Sequence, residues 1–290
     1  MNSSDYDNYR ETERPLRVLI TGSSKGIGRA AALKYLAEGC SVVGFDILPA
    51  SIDDESYTHF CIDVTKPDAF PQMCGEGNDD FSEKAQGTDF ATGLHATPPA
   101  DFANPNSAAR SQVCPSSPCP SSPSIDPPNI IFICAGTQNS TDDISTNLKG
   151  AINIVEKYAF HPEIRSVLFC ASASARTGFE FPGYVASKAG LVGYMKNVAV
   201  RLAPYGATAN SISPGGVVTD SNAPVMNDPA LWSKIMDATP LKKWATEQEI
   251  AEWVWFLTVV NRSASGTDLL VDNGETNLNS TFVWPEQKYL

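Results

Sequence analysis

Tyr184 and Lys188 stand four residues apart in Tyr184-Val185-Ala186-Ser187-Lys188, a spacing that sets both on one face of a helix. A phenol beside an ammonium group can take up and release a proton. A free phenol titrates near pH ~10, so general-base work near neutrality needs about 4 kcal/mol in favour of the phenolate, and a neighbouring positive charge supplies energy of that kind. The pair alone is a weak signal, because nine tyrosines in 290 residues give roughly 0.4 such pairs by chance.

Upstream lies a glycine-rich turn, Thr21-Gly22-Ser23-Ser24-Lys25-Gly26-Ile27-Gly28, between the apolar run from Leu16 to Ile20 and an alanine-rich helical pattern reaching about Glu38. Strand, glycine turn and helix in this order make a phosphate cradle. Gly22 permits the tight turn, Gly26 lets a pyrophosphate approach the backbone, and Gly28 lets the helix start pack closely with its free N–H groups facing the anion. The spacing is Gly-x-x-x-Gly-x-Gly, expected only about 0.1 times by chance. A second strand, Ser41 to Phe45, ends in Asp46, at the distance where a carboxylate reaches an adenosine ribose. Asp46 favours NAD, since it accepts from ribose hydroxyls and repels the 2'-phosphate of NADP. Lys25 pulls the other way, as a cation able to pair with that phosphate. NAD is the expected cofactor, with NADP second.

These elements, followed by Tyr184 and Lys188, resemble the short-chain dehydrogenase/reductase family, and the resemblance runs from about Leu16 to Gly274 apart from one insertion. It implies a single Rossmann-like, doubly wound α/β domain. It also implies that Ser24, Lys25 and Ile27 join the three glycines around the cofactor, with Asp63 and Val64 beside the adenine. Ala135 and Gly136 match the family's Ala-Gly pair, where Cys134 replaces an asparagine that ties neighbouring strands. Asn147, in a helical stretch from about Ile144 to Phe160, matches the asparagine that holds a relay water; read without the family it is a polar helix residue. Ser172, after the apolar strand Ser166 to Cys170, matches the serine that orients the reacting oxygen. It lies twelve residues before Tyr184 where the family commonly has thirteen, and Ser174 is the rival candidate. Pro214, Gly215, Val217 and Thr219 match the segment packed on the nicotinamide. Asn273 stands at what is often a glycine in the final strand.

The implied chemistry is hydride transfer coupled to proton transfer between a secondary alcohol and a ketone. Tyr184 acts as acid or base, Lys188 lowers the cost of the phenolate and holds the nicotinamide ribose, Ser172 orients the oxygen and Asn147 places the relay water. A non-catalytic nicotinamide-binding sensor on the same fold is the competing reading; such proteins typically lose the tyrosine or lysine, and all four positions are filled here.

Strand and helix signals alternate through one domain, residues 15–276, with tails at 1–14 and 277–290. A net charge of −12 argues against nucleic acid and anionic membrane as partners. Met1 to Arg14 lacks the apolar core of a secretory signal, and no run is long enough to span a bilayer, so cytoplasmic residence is expected. The seven cysteines contain no Cys-x-x-Cys pair, and Cys40, Cys61, Cys134 and Cys170 fall on or beside strands, which reads as buried free thiols. Three scattered histidines suggest no metal site. By resemblance, the final helix and strand form the interface of a homodimer or homotetramer.

A Pro/Ser-rich insertion at about 75–128, including Cys114-Pro115-Ser116-Ser117-Pro118-Cys119, falls where a helix would cover one sheet face, so that helix is expected to be shortened or lost. Phe179, Phe181, Met226, Leu231 and Trp232 either line an apolar substrate pocket or, for Leu231 with Ile235 and Met236, hold a lid helix to the body. The Gly136 to Asn147 spacing, the Val43-Gly44-Phe45-Asp46 strand end and Cys-Ala-Gly are similar to compact bacterial hydroxysteroid dehydrogenases, which implies a bulky ring substrate such as a steroid or flavonoid.

Overall fold

The computed structural model describes residues 15–74, 124–138, 141–179, 181–276 and 278. Val18, Leu19 and Ile20 on strand β1 (Arg17–Thr21) are all essentially buried, because both faces of its sheet are covered. β1 sits in a seven-stranded sheet in which every neighbouring pair is parallel. Its other members are β2 (Ser41–Asp46), β3 (Tyr57–Cys61), β6 (Ile130–Ile133), β7 (Ser166–Cys170), β8 (Thr208–Pro214) and β11 (Asp268–Val271), in the order β11-β8-β7-β6-β1-β2-β3. This is the doubly wound Rossmann-like arrangement, which reverses direction between β1 and β6 and so opens a crevice at their carboxyl ends.

Alternating residues feed two cores. Val18, Ile20, Phe132, Leu168 and Ile212 face helix α1 (Gly26–Ala37) and helix α7 (Glu247–Trp255). The small side chains of Ala30, Ala31 and Ala32 let α1 sit close to the sheet. Leu19, Phe45, Ile131, Val167 and Phe169 face helix α2 (Gly150–Tyr158) and the long helix α4 (Pro182–Leu202). α4 starts with Pro182, whose fixed φ suits a first helical position. Thr246 and Glu249 form a reciprocal capping box at the start of α7.

Between β3 and β6 the described chain holds no α-helix. A 3-10 turn at Pro67–Ala69 leads into β4 (Gln72–Met73), which pairs with β5 (Ser124–Ile125). Phe70 and Ile125 are buried in the core there, and Tyr158 donates its hydroxyl to the Pro71 carbonyl at 2.8 Å. The folded body therefore resumes at Ser124, earlier than the compositional boundary near Pro128, since Ile125 supplies a buried apolar side chain. The rest of the insertion, 75–123, lies outside the described residues, as do the tail 1–14 and all of 277–290 except Leu278. Cys40 and Cys170 are buried free thiols and Cys134 is half-buried. Cys61 is exposed, contrary to expectation, because β3 is the sheet's edge strand. Among the described residues no helix is long and apolar enough to cross a membrane.

Candidate active site and cofactor cleft

The glycine turn forms at the end of β1. Gly22 has φ +73° and its N–H donates to the Phe45 carbonyl at 2.8 Å, while an added Cβ would stand 2.8 Å from the Ala135 nitrogen. Only glycine allows both the turn and that approach. Gly26, φ +62°, looks into open space: a Cβ there would meet nothing nearer than Glu247 Oε1, at 4.0 Å. An open backbone concavity at the first residue of α1 is the shape a pyrophosphate requires. Lys25, just before the helix, is exposed, and Ile27 is half-buried.

Asp46 is buried at the end of β2 and tied to the same turn. Its Oδ2 accepts from the Ser24 N–H and its Oδ1 from the Leu48 N–H, both at 2.9 Å. Each carboxylate oxygen keeps acceptor capacity for a further donor. Tyr57 lies alongside, donating to Ser23 Oγ at 2.9 Å; burial pushes its phenol above the usual range, opposed by the Ser23 hydrogen bond and reinforced by the Asp46 charge. Asp63 closes its own turn by accepting from the N–H and hydroxyl of Thr65, and Val64 is buried against Gly150.

Tyr184 and Lys188 stand on α4 as the spacing requires, with the Lys188 nitrogen 5.6 Å from the Tyr184 ring centroid. Lys188 is buried and donates to the Cys170 carbonyl at 2.8 Å, which anchors α4 to the end of β7. Asn147 is buried in a π-helical turn, Ile144–Lys149, inserted before α2. Its Oδ1 accepts from the Thr137 N–H at 2.7 Å, and its Nδ2 donates to the Thr137 carbonyl and to Ser187 Oγ, each at 2.9 Å. Both amide hydrogens are thus committed to protein, which makes Asn147 a strut between the β6 loop and α4. A Cβ on Gly136 would lie 3.0 Å from Asn147 Oδ1 and 3.5 Å from Lys188 Nζ, so the Ala-Gly pair, the asparagine and the lysine meet at one place. Ala135 is fixed by its N–H to Thr21 Oγ1 at 3.1 Å.

Ser172 follows β7 by two residues and shares a 2.6 Å hydroxyl–hydroxyl hydrogen bond with Ser174. The two candidates form one bonded pair, and Ser174 opens a short helix, α3 (Ser174–Thr177), that packs on α4. Pro214 ends β8. Gly215 donates to the Val271 carbonyl, Val217 opens β9 (Val217–Val218), and its carbonyl accepts from Asn222 Nδ2 at 2.8 Å. Thr219 is half-buried just beyond. β9 pairs with β10 (Ala245–Thr246). Met226 ends helix α5 (Ala223–Met226), and Trp232 is on helix α6 (Pro229–Ala238). Trp232 packs edge-to-face on Trp244, with centroids 5.0 Å apart, and Trp244 in turn lies against Gly216. Phe179 is 75% exposed. Asn273 has φ +57°, the left-handed conformation that asparagine tolerates better than most residues and that explains glycine at such a place.

Several site residues carry no sequence signal of their own. Thr137 and Trp244 are recognised only by what they touch. Glu247 faces the Gly26 opening, and burial, followed by the nearby Asp220, raises its carboxyl pKa against the opposing effect of Arg29. Ser187, whose hydroxyl donates to the Tyr184 carbonyl at 2.7 Å, was open to detection as the polar residue inside the Tyr-Lys window.

Comparison with known proteins agrees with this layout. A family profile described as Enoyl-(Acyl carrier protein) reductase matches residues 135–276. The chain is similar to L-rhamnose 1-dehydrogenase (NAD(P)(+)) of Azotobacter vinelandii, 27% identical over 264 residues covering 89% of this chain and 95% of that one. It is similar to the 3-oxoacyl-[acyl-carrier-protein] reductase of Staphylococcus epidermidis, 28% identical over 246 residues, 82% of this chain and 89% of that one. Its fold matches the aldohexose dehydrogenase of Thermoplasma acidophilum with a TM-score of 0.66 and 22% identity, over 94% of this chain and 98% of that one. With the strand order, the glycine turn and the Tyr184–Lys188 helix all in place, the chain belongs to the short-chain dehydrogenase/reductase family of nicotinamide-dependent oxidoreductases.

Proposed function

We propose that the protein interconverts a secondary alcohol and a ketone with NAD as preferred cofactor, and that its substrate is a bulky ring compound of the hydroxysteroid or flavonoid kind. The observation that carries the reaction is the Tyr184–Lys188 pair on α4, with Lys188 locked to the Cys170 carbonyl and Asn147 braced beside it. When bound, the nicotinamide supplies a hydride acceptor or donor at its C4. Gly22, Gly26 and the start of α1 hold the pyrophosphate, Asp46 takes the adenosine ribose, and Pro214, Gly215, Val217 and Thr219 back the nicotinamide. In oxidation Tyr184 Oη receives the alcohol proton; in reduction it returns one. The Lys188 charge stabilises the phenolate and its remaining N–H groups reach ribose hydroxyls. Ser172, held by Ser174, donates to the reacting oxygen, worth a few kcal/mol for a single well-placed donor.

Preference for NAD is supported by the buried Asp46 carboxylate, whose fixed negative charge opposes a 2'-phosphate. The relatives are named for a sugar and an acyl-carrier substrate, so the substrate class rests on this chain's own rim. Phe179 and Phe181, both exposed, lead directly into α4, and Leu231 on α6 is 41% exposed. An apolar rim suits a ring system better than a polyol, which needs polar partners for each hydroxyl. Self-association is supported by the outer edge of β11, unpaired among the described residues, and by exposed Trp253, Phe256 and Val260 on α7 and its continuation.

The test is NADH absorbance with purified protein against steroid ketones, flavonoid-type ketones, sugars and 3-oxoacyl thioesters, with NADPH in parallel and NADH binding followed by fluorescence. Turnover confined to ring ketones is the expected result. Turnover confined to sugars or thioesters overturns the substrate class, and NADH binding with no turnover in any group shifts the reading to a sensor.

A further inference from the structure

Cys134 and Cys170 stand at the carboxyl ends of β6 and β7, the two strands that carry the site. The strands pair in parallel through Ile133 and Phe169, so Cys134 and Cys170 come next on each, on the same sheet face as Phe132 and Leu168. Paired strands lie about 4.8 Å apart, inside the ~4.4–6.8 Å Cα window of a disulfide. Both thiols are free, Cys134 partly exposed and Cys170 buried, and the two act on each other electrostatically. The neighbouring Cys134 thiol, helped by the Lys188 charge against the cost of burial, holds the Cys170 thiol below its usual range, while the Cys170 neighbour and burial push Cys134 up. Cys170 is also the residue whose carbonyl receives Lys188 Nζ.

We infer that Cys134 and Cys170 are a reversible oxidative modification site: a peroxide joins them in a disulfide that draws the ends of β6 and β7 together and moves the Cys170 carbonyl off Lys188. The Cys170 thiolate attacks one peroxide oxygen; the O–O bond breaks, leaving a sulfenic acid on Cys170 and releasing hydroxide, which leaves as water on taking up a proton. The Cys134 sulfur, giving up its proton, then attacks the sulfenic sulfur; the S–O bond breaks, the S–S bond forms and a second water leaves. Two thiols lose two electrons and one peroxide gains them. Adjacent-strand geometry keeps the Cβ atoms farther apart than an unstrained disulfide prefers, so a dithiol reductant reopens the bond readily. Loss of activity on oxidation rests on the function proposed above, whereas formation of the bond does not.

Reduced protein is treated with hydrogen peroxide, digested and mapped, and Lys188 is probed with an amine-directed acylating reagent. The expected result is a Cys134–Cys170 linked peptide lighter by two hydrogens, several-fold greater labelling of Lys188, and turnover lowered about 10–100-fold, the scale of an ångström-sized displacement of a positioned group. Dithiothreitol restores all three. Cys134→Ser, or Cys134→Ala where serine does not fold, keeps its untreated activity and shows none of these changes. No linked peptide, or a linked peptide with Lys188 labelling unchanged, overturns the inference. A protein that turns over no alcohol or ketone overturns the proposed function, and the peptide map and Lys188 labelling still decide this one.

Discussion

Lys188 donates to the main-chain carbonyl of Cys170 at 2.8 Å, so the ammonium group beside Tyr184 is positioned by a strand end rather than by a carboxylate. A neutral partner orients the lysine without cancelling its charge, and the whole of that charge remains to act on the phenol 5.6 Å away.

Removing the phenol hydroxyl should therefore stop the chemistry and spare binding. Tyr184→Phe is expected to lower kcat at least about 1000-fold, in line with loss of a general acid–base group, with the NADH dissociation constant within a factor of about three. Single-turnover absorbance and NADH fluorescence check it; retention of most of the activity would remove Tyr184 from the reaction.

Asp46→Asn keeps an acceptor for one of the two backbone N–H groups now held by the carboxylate, yet deletes the charge. The ratio of kcat/KM for NAD over NADP should fall about tenfold, equivalent to ~1.4 kcal/mol. An unchanged ratio counts against Asp46 as the cofactor selector.

Glu247 sets a carboxylate near the Gly26 opening, where its would-be Cβ is 4.0 Å from Oε1. If a pyrophosphate lies there, like charges oppose its binding, partly relieved by Arg29. Glu247→Gln is expected to tighten NADH about threefold to tenfold, and the gain should shrink as salt is raised. Weaker binding in this variant would show that the cofactor phosphates sit elsewhere.

Asn147→Ala removes three hydrogen bonds from a buried strut, leaving the Thr137 N–H and carbonyl without their side-chain partner. Urea denaturation should show a loss of about 2–3 kcal/mol. Because Lys188 and Gly136 share that corner, kcat should fall with it; full stability would mean that water replaces the amide.

His161 is buried, and burial holds its pKa below the ordinary histidine value, reinforced by Arg17 and partly opposed by Glu163. The folded protein keeps the ring neutral while the unfolded chain protonates it near pH ~6.5. The unfolded state thus binds more protons in this window, so stability is fully present above pH ~6.5 and declines as the pH falls toward the folded value, by at most ~1.4 kcal/mol per unit. Urea midpoints between pH ~7.5 and ~5.5 should show this slope, and His161→Gln should flatten it. Equal slopes in the two proteins would assign the acid sensitivity to other groups.

The glycine turn, the Asp46 strand end and the Tyr184–Lys188 spacing were legible because each follows from short-range geometry: φ above zero at Gly22, a period of two along strands, and four residues per shared helix face. The same short-range rules placed β7 at Ser166–Cys170. Contacts between distant segments were not legible. That Thr137 and Ser187 brace Asn147, that Trp244 lies between Trp232 and Gly216, and that Ile125 returns the chain to the core after the insertion all depend on how elements dock. Cys61 shows the limit on burial, since an edge strand and a central strand share one composition and differ only in what lies beside them. Local sequence determined the chemical groups and the elements carrying them; packing in three dimensions decided that Lys188 would rest on Cys170 and Cys170 beside Cys134, because strand order is set by burial of whole faces rather than by any residue's neighbours in the chain.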